Sequence, residues 1–95
     1  MNKVILTGRI TKDLELRYTT EKATAVLSFQ IAVRKNKNDA DFIAVVAYGK
    51  TAELINQYCK KGSSINIIGC LRTRNYDDKD GKRVYVTEVL ADEIE

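Results

Sequence analysis

The side chains in this chain that could do chemistry are rings and cations, not nucleophiles and bases. Phe42 and Tyr48 share one parity of the alternating run Asp41 to Tyr48, with Ala44 and Val46 between them. Six residues of extended chain put the two rings roughly 20 Å apart on one face. Arg72, Arg74 and Tyr76 share a parity in the run Ser64 to Tyr76, so two guanidiniums and a third ring line one side of another strand. Lys35 and Lys37 lie in the polar stretch RKNKNDAD, Arg34 to Asp41. Unpaired bases stack on rings, at about 1–3 kcal/mol per base, and cations track the backbone of a single strand. Neither contact distinguishes bases strongly, so such a surface would tolerate sequence and respond to salt. The same rings are also compatible with half-burial in the fold or with a contact between subunits, Tyr76 less so than Phe42 and Tyr48.

Enzymatic chemistry finds little support. The chain has no histidine to act as general base or metal ligand. It also has no phosphate-binding loop and no dinucleotide glycine fingerprint. Cys59 and Cys70 form no CxxC pair and lie among apolar neighbours, which suits reduced, partly buried thiols. Ser63 and Ser64 after Gly62 have no partner base. Asp77, Asp78 and Asp80 are interleaved with Lys79, Lys82 and Arg83, a solvated turn rather than a cation site. Neither catalysis nor a cofactor or metal is expected.

The elements that must position the rings are mostly strands. Val4, Leu6, Gly8 and Ile10 alternate with Lys3, Ile5, Thr7 and Arg9, and Gly8 in mid-strand suggests a bulge or a barrel corner. Leu14, Leu16 and Tyr18 continue the alternation, either as a bent extension or as a short strand. From Ala25 to Arg34, Leu27, Phe29, Ile31 and Val33 form an apolar face, which places Phe29 in the core. Arg34 to Asp41 is expected as a hairpin loop. After the Asp41 to Tyr48 strand, Gly49 breaks the chain and a helix is expected over Lys50 to Lys61. Its buried stripe would hold Ile55 and Cys59, with Leu54 and Tyr58 beside them, and Gly62 would terminate it behind Lys60 and Lys61. In Ser64 to Tyr76, Ile65, Ile67 and Leu71 point toward the core. The Asp-Gly pair within Asp77 to Lys82 turns the chain into a last strand, Arg83 to Leu90.

Five strands with one helix between strands 3 and 4 make a mainly β domain, and a five-stranded barrel of the oligonucleotide-binding (OB) type has this order. At 95 residues the chain holds one modest core. Its apolar runs are too short to span a membrane, and no signal peptide is evident, so a cytoplasmic protein is expected. Net charge is only +3, from 16 basic and 13 acidic residues. Four of the acids, Glu88, Asp92, Glu93 and Glu95, lie in the last eight residues, so residues 1–87 carry every basic group against nine acids. A basic body with an acidic end fits a polyanionic partner.

Several segments together resemble a known family. MNKVILTGRITKDLELRYT, DFIAVVAYGKTAELINQYCKKGSSINIIG and LRTRNYDDKDGKRVYVTEVLADEIE are similar to the bacterial-type single-stranded DNA-binding protein (SSB) family over nearly the whole chain. The most specific pieces are Gly49 to Glu53, Lys61 to Ser63, Arg72 to Arg74 and Tyr85 to Val89. The resemblance implies an OB fold that assembles as a homotetramer and protects single strands in DNA replication, recombination and repair, in a bacterial, phage or mobile-element setting at the nucleoid. By position it implies Phe42, Tyr48 and Tyr76 as stacking rings, Arg72 and Arg74 as cations beside the strand, and the Lys3 to Thr11 strand as the edge that pairs protomers, centred on Lys3, Val4, Ile5, Leu6 and Thr7. The chain departs from the family in having no tryptophan: the basic loop around Lys35 and Lys37 stands where many members have one, and Phe42 and Tyr76 are smaller than the rings often found there. Residues 1–95 are therefore expected to be a single binding domain without the family's flexible acidic tail, and recruitment of partner enzymes is not expected of them.

Overall fold

The alternating runs form the strands, and glycines mark their turns and closest approaches. The computed structural model describes residues 1–94 and contains β1 Val4–Ile10, β2 Arg17–Tyr18, β3 Ala25–Asn36, β4 Asp39–Tyr48, α1 Gly49–Tyr58, β5 Ser64–Asp77 and β6 Arg83–Ile94. The sheet order is β1-β5-β6-β4-β3-β2, and β1 also pairs with β3, which closes the five principal strands into a barrel. The two-residue β2 only lines the edge of β3. Every pairing is antiparallel except β4 with β6, where Val45 and Val46 face Val89 and Leu90. This is the OB-type barrel expected, with its helix between the third and fourth principal strands.

Inward side chains of one parity fill the barrel. Leu27, Ile31, Val45, Ala47, Ile65, Ile67 and Val89 are buried, and Ala52 and Ile55 of α1 join them from outside the sheet. Helix α1 packs on β3, β4 and β6, and full burial of a side chain the size of Ile55 is worth about 1.5–3 kcal/mol. Two glycines permit the closure. Gly8 lies where β1 passes from β5 to β3, and a Cβ there would sit 2.8 Å from the Ala32 carbonyl oxygen. A Cβ on Gly69 would run into the Leu90 carbonyl, beside the β5–β6 bulge between Ile68 and Gly69.

Several boundaries differ from the sequence expectation, each for a local reason. The Arg34 to Asp41 loop is almost entirely strand. Only Lys37 and Asn38 lie between β3 and β4, where the Asn36 side chain accepts the Asn38 N–H at 3.0 Å. An Asx turn of this kind reverses the chain within a polar stretch. The helix ends at Tyr58, not at Gly62. Cys59 is already extended, and Lys60 to Ser63 form a separate turn in which the Ser63 hydroxyl accepts the Lys60 N–H. Gly62 takes a φ of +90° inside that turn, so its left-handed conformation serves the turn and the two lysines lie outside the helix. Tyr58 is 73% exposed and is not part of the buried stripe. Phe29 is half-buried against the core. Leu71 shares the parity of Ile65 and Ile67 but is exposed, because β1 accompanies β5 only as far as Gly69 and the β5–β6 hairpin projects beyond.

Candidate nucleic-acid interface

The projecting hairpin fixes a register that brings together residues far apart in sequence. Gly81, with a φ of +80°, turns the chain, and the Asp78 carboxylate accepts the backbone N–H groups of Asp80 and Lys82, both at 2.9 Å. That carboxylate is therefore occupied in shaping the turn. Pairing outward from Asp77 opposite Arg83 sets Tyr76 opposite Val84, Arg74 opposite Val86 and Arg72 opposite Glu88. Directly paired residues share a face of the sheet, so Arg72, Arg74, Tyr76 and Glu88 occupy one side of the hairpin. Strand β4 runs along the other edge of β6 and brings Tyr48, its last residue, to the same cluster.

The cluster is a continuous polar network. The Glu88 carboxylate is 6% exposed, and its Oε1 accepts from Nε and Nη2 of Arg72, at 3.2 and 3.1 Å, and from Nε of Arg74, at 2.9 Å. Nη2 of Arg72 also donates to the Tyr48 hydroxyl at 2.7 Å, and its guanidinium carbon stands 5.3 Å from the centre of the Tyr48 ring. Arg74 lies 5.8 Å from the centre of the Tyr76 ring. Both separations are within the range of a cation–π attraction, about 0.5–1 kcal/mol at exposed sites. The hydrogen bond to Tyr48, and after it the Glu88 carboxylate, raise the Arg72 pKa against the opposing effect of desolvation, so this side chain is a permanent cation. The rings remain accessible, Tyr48 at 39% and Tyr76 at 48%.

A second group of site residues lies farther along β4. Phe42 is 62% exposed and pairs with the small Ala32, so its ring stands clear of the sheet. It borders a groove of about 670 Å³ between β1 and the β3–β4 hairpin, lined also by Lys37, Arg34 and Arg9. Lys35 is exposed but does not line this groove. The structure thus joins Tyr48, Arg72, Arg74 and Tyr76 in one cluster and Phe42 with Lys37 in a neighbouring one. Sequence reasoning missed Arg9 and Glu88. Glu88 counted there as part of an acidic end, yet it is buried between two arginines, whereas Asp92 and Glu93 are exposed and Glu95 lies outside the described residues. Counting back from a two-residue turn at Asp80-Gly81 would set position 88 opposite Thr73; the observed register, with Asp77 opposite Arg83, sets it opposite Arg72 instead.

Lys3, just before β1, and Ile5 and Thr7 on it are exposed, while Val4 and Leu6 pack on the core. One edge of the strand pairs with β5, and the Asn2 side chain extends that ladder by bonding both backbone groups of Leu71. Among the described residues, no strand pairs the opposite edge before Arg9. Cys59 and Cys70 are free and partly buried, and burial pushes the Cys59 thiol up, away from the reactive thiolate. No helix among the described residues is long and apolar enough to cross a membrane.

Comparison with known proteins agrees with the architecture. The model of the single-strand binding protein family matches residues 1–95. A single-stranded DNA-binding protein of Clostridium tetani is 52% identical over 99 aligned residues, covering 99% of this chain and 68% of the relative. Single-stranded DNA-binding protein 3 of Clostridium acetobutylicum is 47% identical, over all of this chain and 69% of its own length. A single-stranded DNA-binding protein of Bacillus cereus is 50% identical, over all of this chain and 59% of its own. The relatives therefore extend well beyond the matched region, and within that region the chain belongs to the single-strand binding protein family.

Proposed function

We propose that residues 1–95 act as one binding unit that takes up and protects single-stranded DNA with little regard to sequence, without catalysis, in replication, recombination and repair. The observation that carries this reading is the joined cluster of Tyr48, Arg72, Arg74 and Tyr76, in which accessible rings lie beside guanidiniums. Bases would stack on Tyr48, Tyr76 and Phe42, and phosphates would run past Arg72, Arg74, Lys37 and Lys35. Duplex DNA keeps its base faces stacked inside the helix and cannot use the rings in this way. Homo-oligomerisation, as a tetramer, would begin by pairing the unaccompanied edge of Lys3, Val4, Ile5, Leu6 and Thr7 with its copy, since such an edge offers unpaired backbone groups to another strand. The place of action would be the cytoplasm, at the nucleoid.

Titration of labelled oligo-dT of increasing length, beside a duplex of matched length and a matched RNA, tests the proposal. Oligo-dT should bind well ahead of duplex and weaken as salt rises; equal affinity for the duplex would sink it. Mass measurement in solution should give four copies, and a monomer at all concentrations would remove the edge-pairing part.

A further inference from the structure

Glu88 is the only buried charged side chain among the described residues, and it lies beneath a surface already rich in cations. Taking a carboxylate out of water is costly, and an apolar residue of similar volume would often serve stability as well or better. Its partners do not need it in order to stay charged, since arginine is protonated at any working pH. What the carboxylate does is geometrical. One oxygen receives Arg72 from directly across the β5–β6 ladder and Arg74 from the diagonal position. Without a shared anion, two neighbouring guanidiniums would repel each other and swing into solvent on long, flexible stems. With it, each lies against one face of a ring, Arg72 on Tyr48 and Arg74 on Tyr76. Arg74 uses only Nε in this network, and no protein group among the described residues takes up its Nη1 or Nη2.

We propose that Glu88 is a positioning residue for strand binding. It orders Arg72 and Arg74 before the strand arrives, so that one face of each ring is held by a cation and the other is left for a base. It also sets the electrostatics of the cluster, lowering the net charge of the two arginines from two to one. This inference rests on the single-strand reading above and deepens it.

Two variants separate the roles of shape and charge. Glu88→Gln keeps an acceptor oxygen at the same reach and removes the charge. Its plot of log affinity for oligo-dT against log salt should steepen by about 0.7, the contribution of one more phosphate neutralised on a single strand. Glu88→Ala removes the charge and the anchor together. It should bind about tenfold more weakly than Glu88→Gln at the same salt, because two long side chains must then be ordered during binding. In the free protein, the Arg72 and Arg74 Nε–H resonances should be distinct and slow to exchange in wild type and Glu88→Gln, and averaged with exposed arginines in Glu88→Ala. A merely structural Glu88 would lower the melting temperature while leaving slope and affinity at wild-type values in the folded variants, and that result would overturn the proposal. If wild type showed no preference for oligo-dT over duplex, the single-strand reading itself would fall; if wild type binds and the variants match it, only the positioning role falls.

Discussion

Replacing Tyr48 by Phe and by Ala separates two things the residue does at once. Its ring offers a stacking face, and its hydroxyl accepts a 2.7 Å hydrogen bond from Arg72. Tyr48→Ala removes both and should weaken oligo-dT binding by about 1–3 kcal/mol, the scale of one stacked base, or roughly 5- to 150-fold in Kd. Tyr48→Phe keeps the ring. The lost hydrogen bond is to a charged group, but Arg72 remains fixed by two bonds to Glu88. The bond also exists before the strand binds, so its loss largely cancels between free and bound protein. A hydrogen bond to a charged group is worth about 1.5–3 kcal/mol, but only a small fraction of it should be felt in binding, about twofold in Kd. Anisotropy titrations of a labelled oligo-dT at one fixed salt concentration would measure both. A Phe variant as weak as the Ala variant would show that the hydroxyl network, not the ring face, carries the contact. An Ala variant that binds like wild type would remove Tyr48 from the path of the strand.

Other perturbations follow from the same geometry. Lys37→Ala should flatten the salt dependence of oligo-dT binding by about 0.7 in slope, and Lys35→Ala should do so less, because only Lys37 lines the groove beside Phe42; the reverse order would displace the strand from that groove. Gly69→Ala should destabilise the fold by about 1–3 kcal/mol, the cost of forcing atoms into a closed packing, since the new Cβ meets the Leu90 carbonyl; an unchanged midpoint in denaturant would contradict it. Ile55→Ala, at a fully buried position, should cost about 2–5 kcal/mol by the same measurement. Because the folded-state pKa of Cys59 is raised, its neutral thiol is favoured by folding. That contribution is intact below the ordinary thiol range and is lost as pH climbs through the folded value. Alkylation at Cys59 should therefore lag behind that of the unfolded chain at the same mildly alkaline pH, and equal rates would show no protection.

Much of this arrangement is legible in the sequence because parity is a physical constraint on a half-buried strand. The alternation grouped Phe42 with Tyr48, and Arg72 and Arg74 with Tyr76, but left open whether the rings were half-buried; in the fold all three rings are accessible. The Asp-Gly turn correctly predicted the hairpin that carries three of the site residues. What periodicity could not supply was contact across strands. Tyr48 meets Arg72 only because the chain passes through α1 and returns on β5, with β6 between the two strands. Glu88 stayed hidden because its charge was counted with its neighbours in sequence, whereas its energy is set by its partners across the ladder. Apolar residues at the edges of elements misled for a related reason. Tyr58 and Leu71 have the expected spacing, but the helix ends at one and the core has run out at the other, and burial depends on what lies opposite as well as on parity.

The path of the strand is tested most directly by photo-crosslinking an oligo-dT that carries 5-iododeoxyuridine and mapping the attached residues by mass spectrometry. The protein supplies its own controls, since Tyr18, Tyr58 and Tyr85 are exposed rings outside the proposed surface. Tyr85 lies opposite Asn75, on the far face of the same hairpin from Tyr76. Crosslinks concentrated at Phe42, Tyr48 and Tyr76 are the predicted result. Crosslinks concentrated at Tyr18, Tyr58 or Tyr85 would contradict it and place the strand on another face of the barrel.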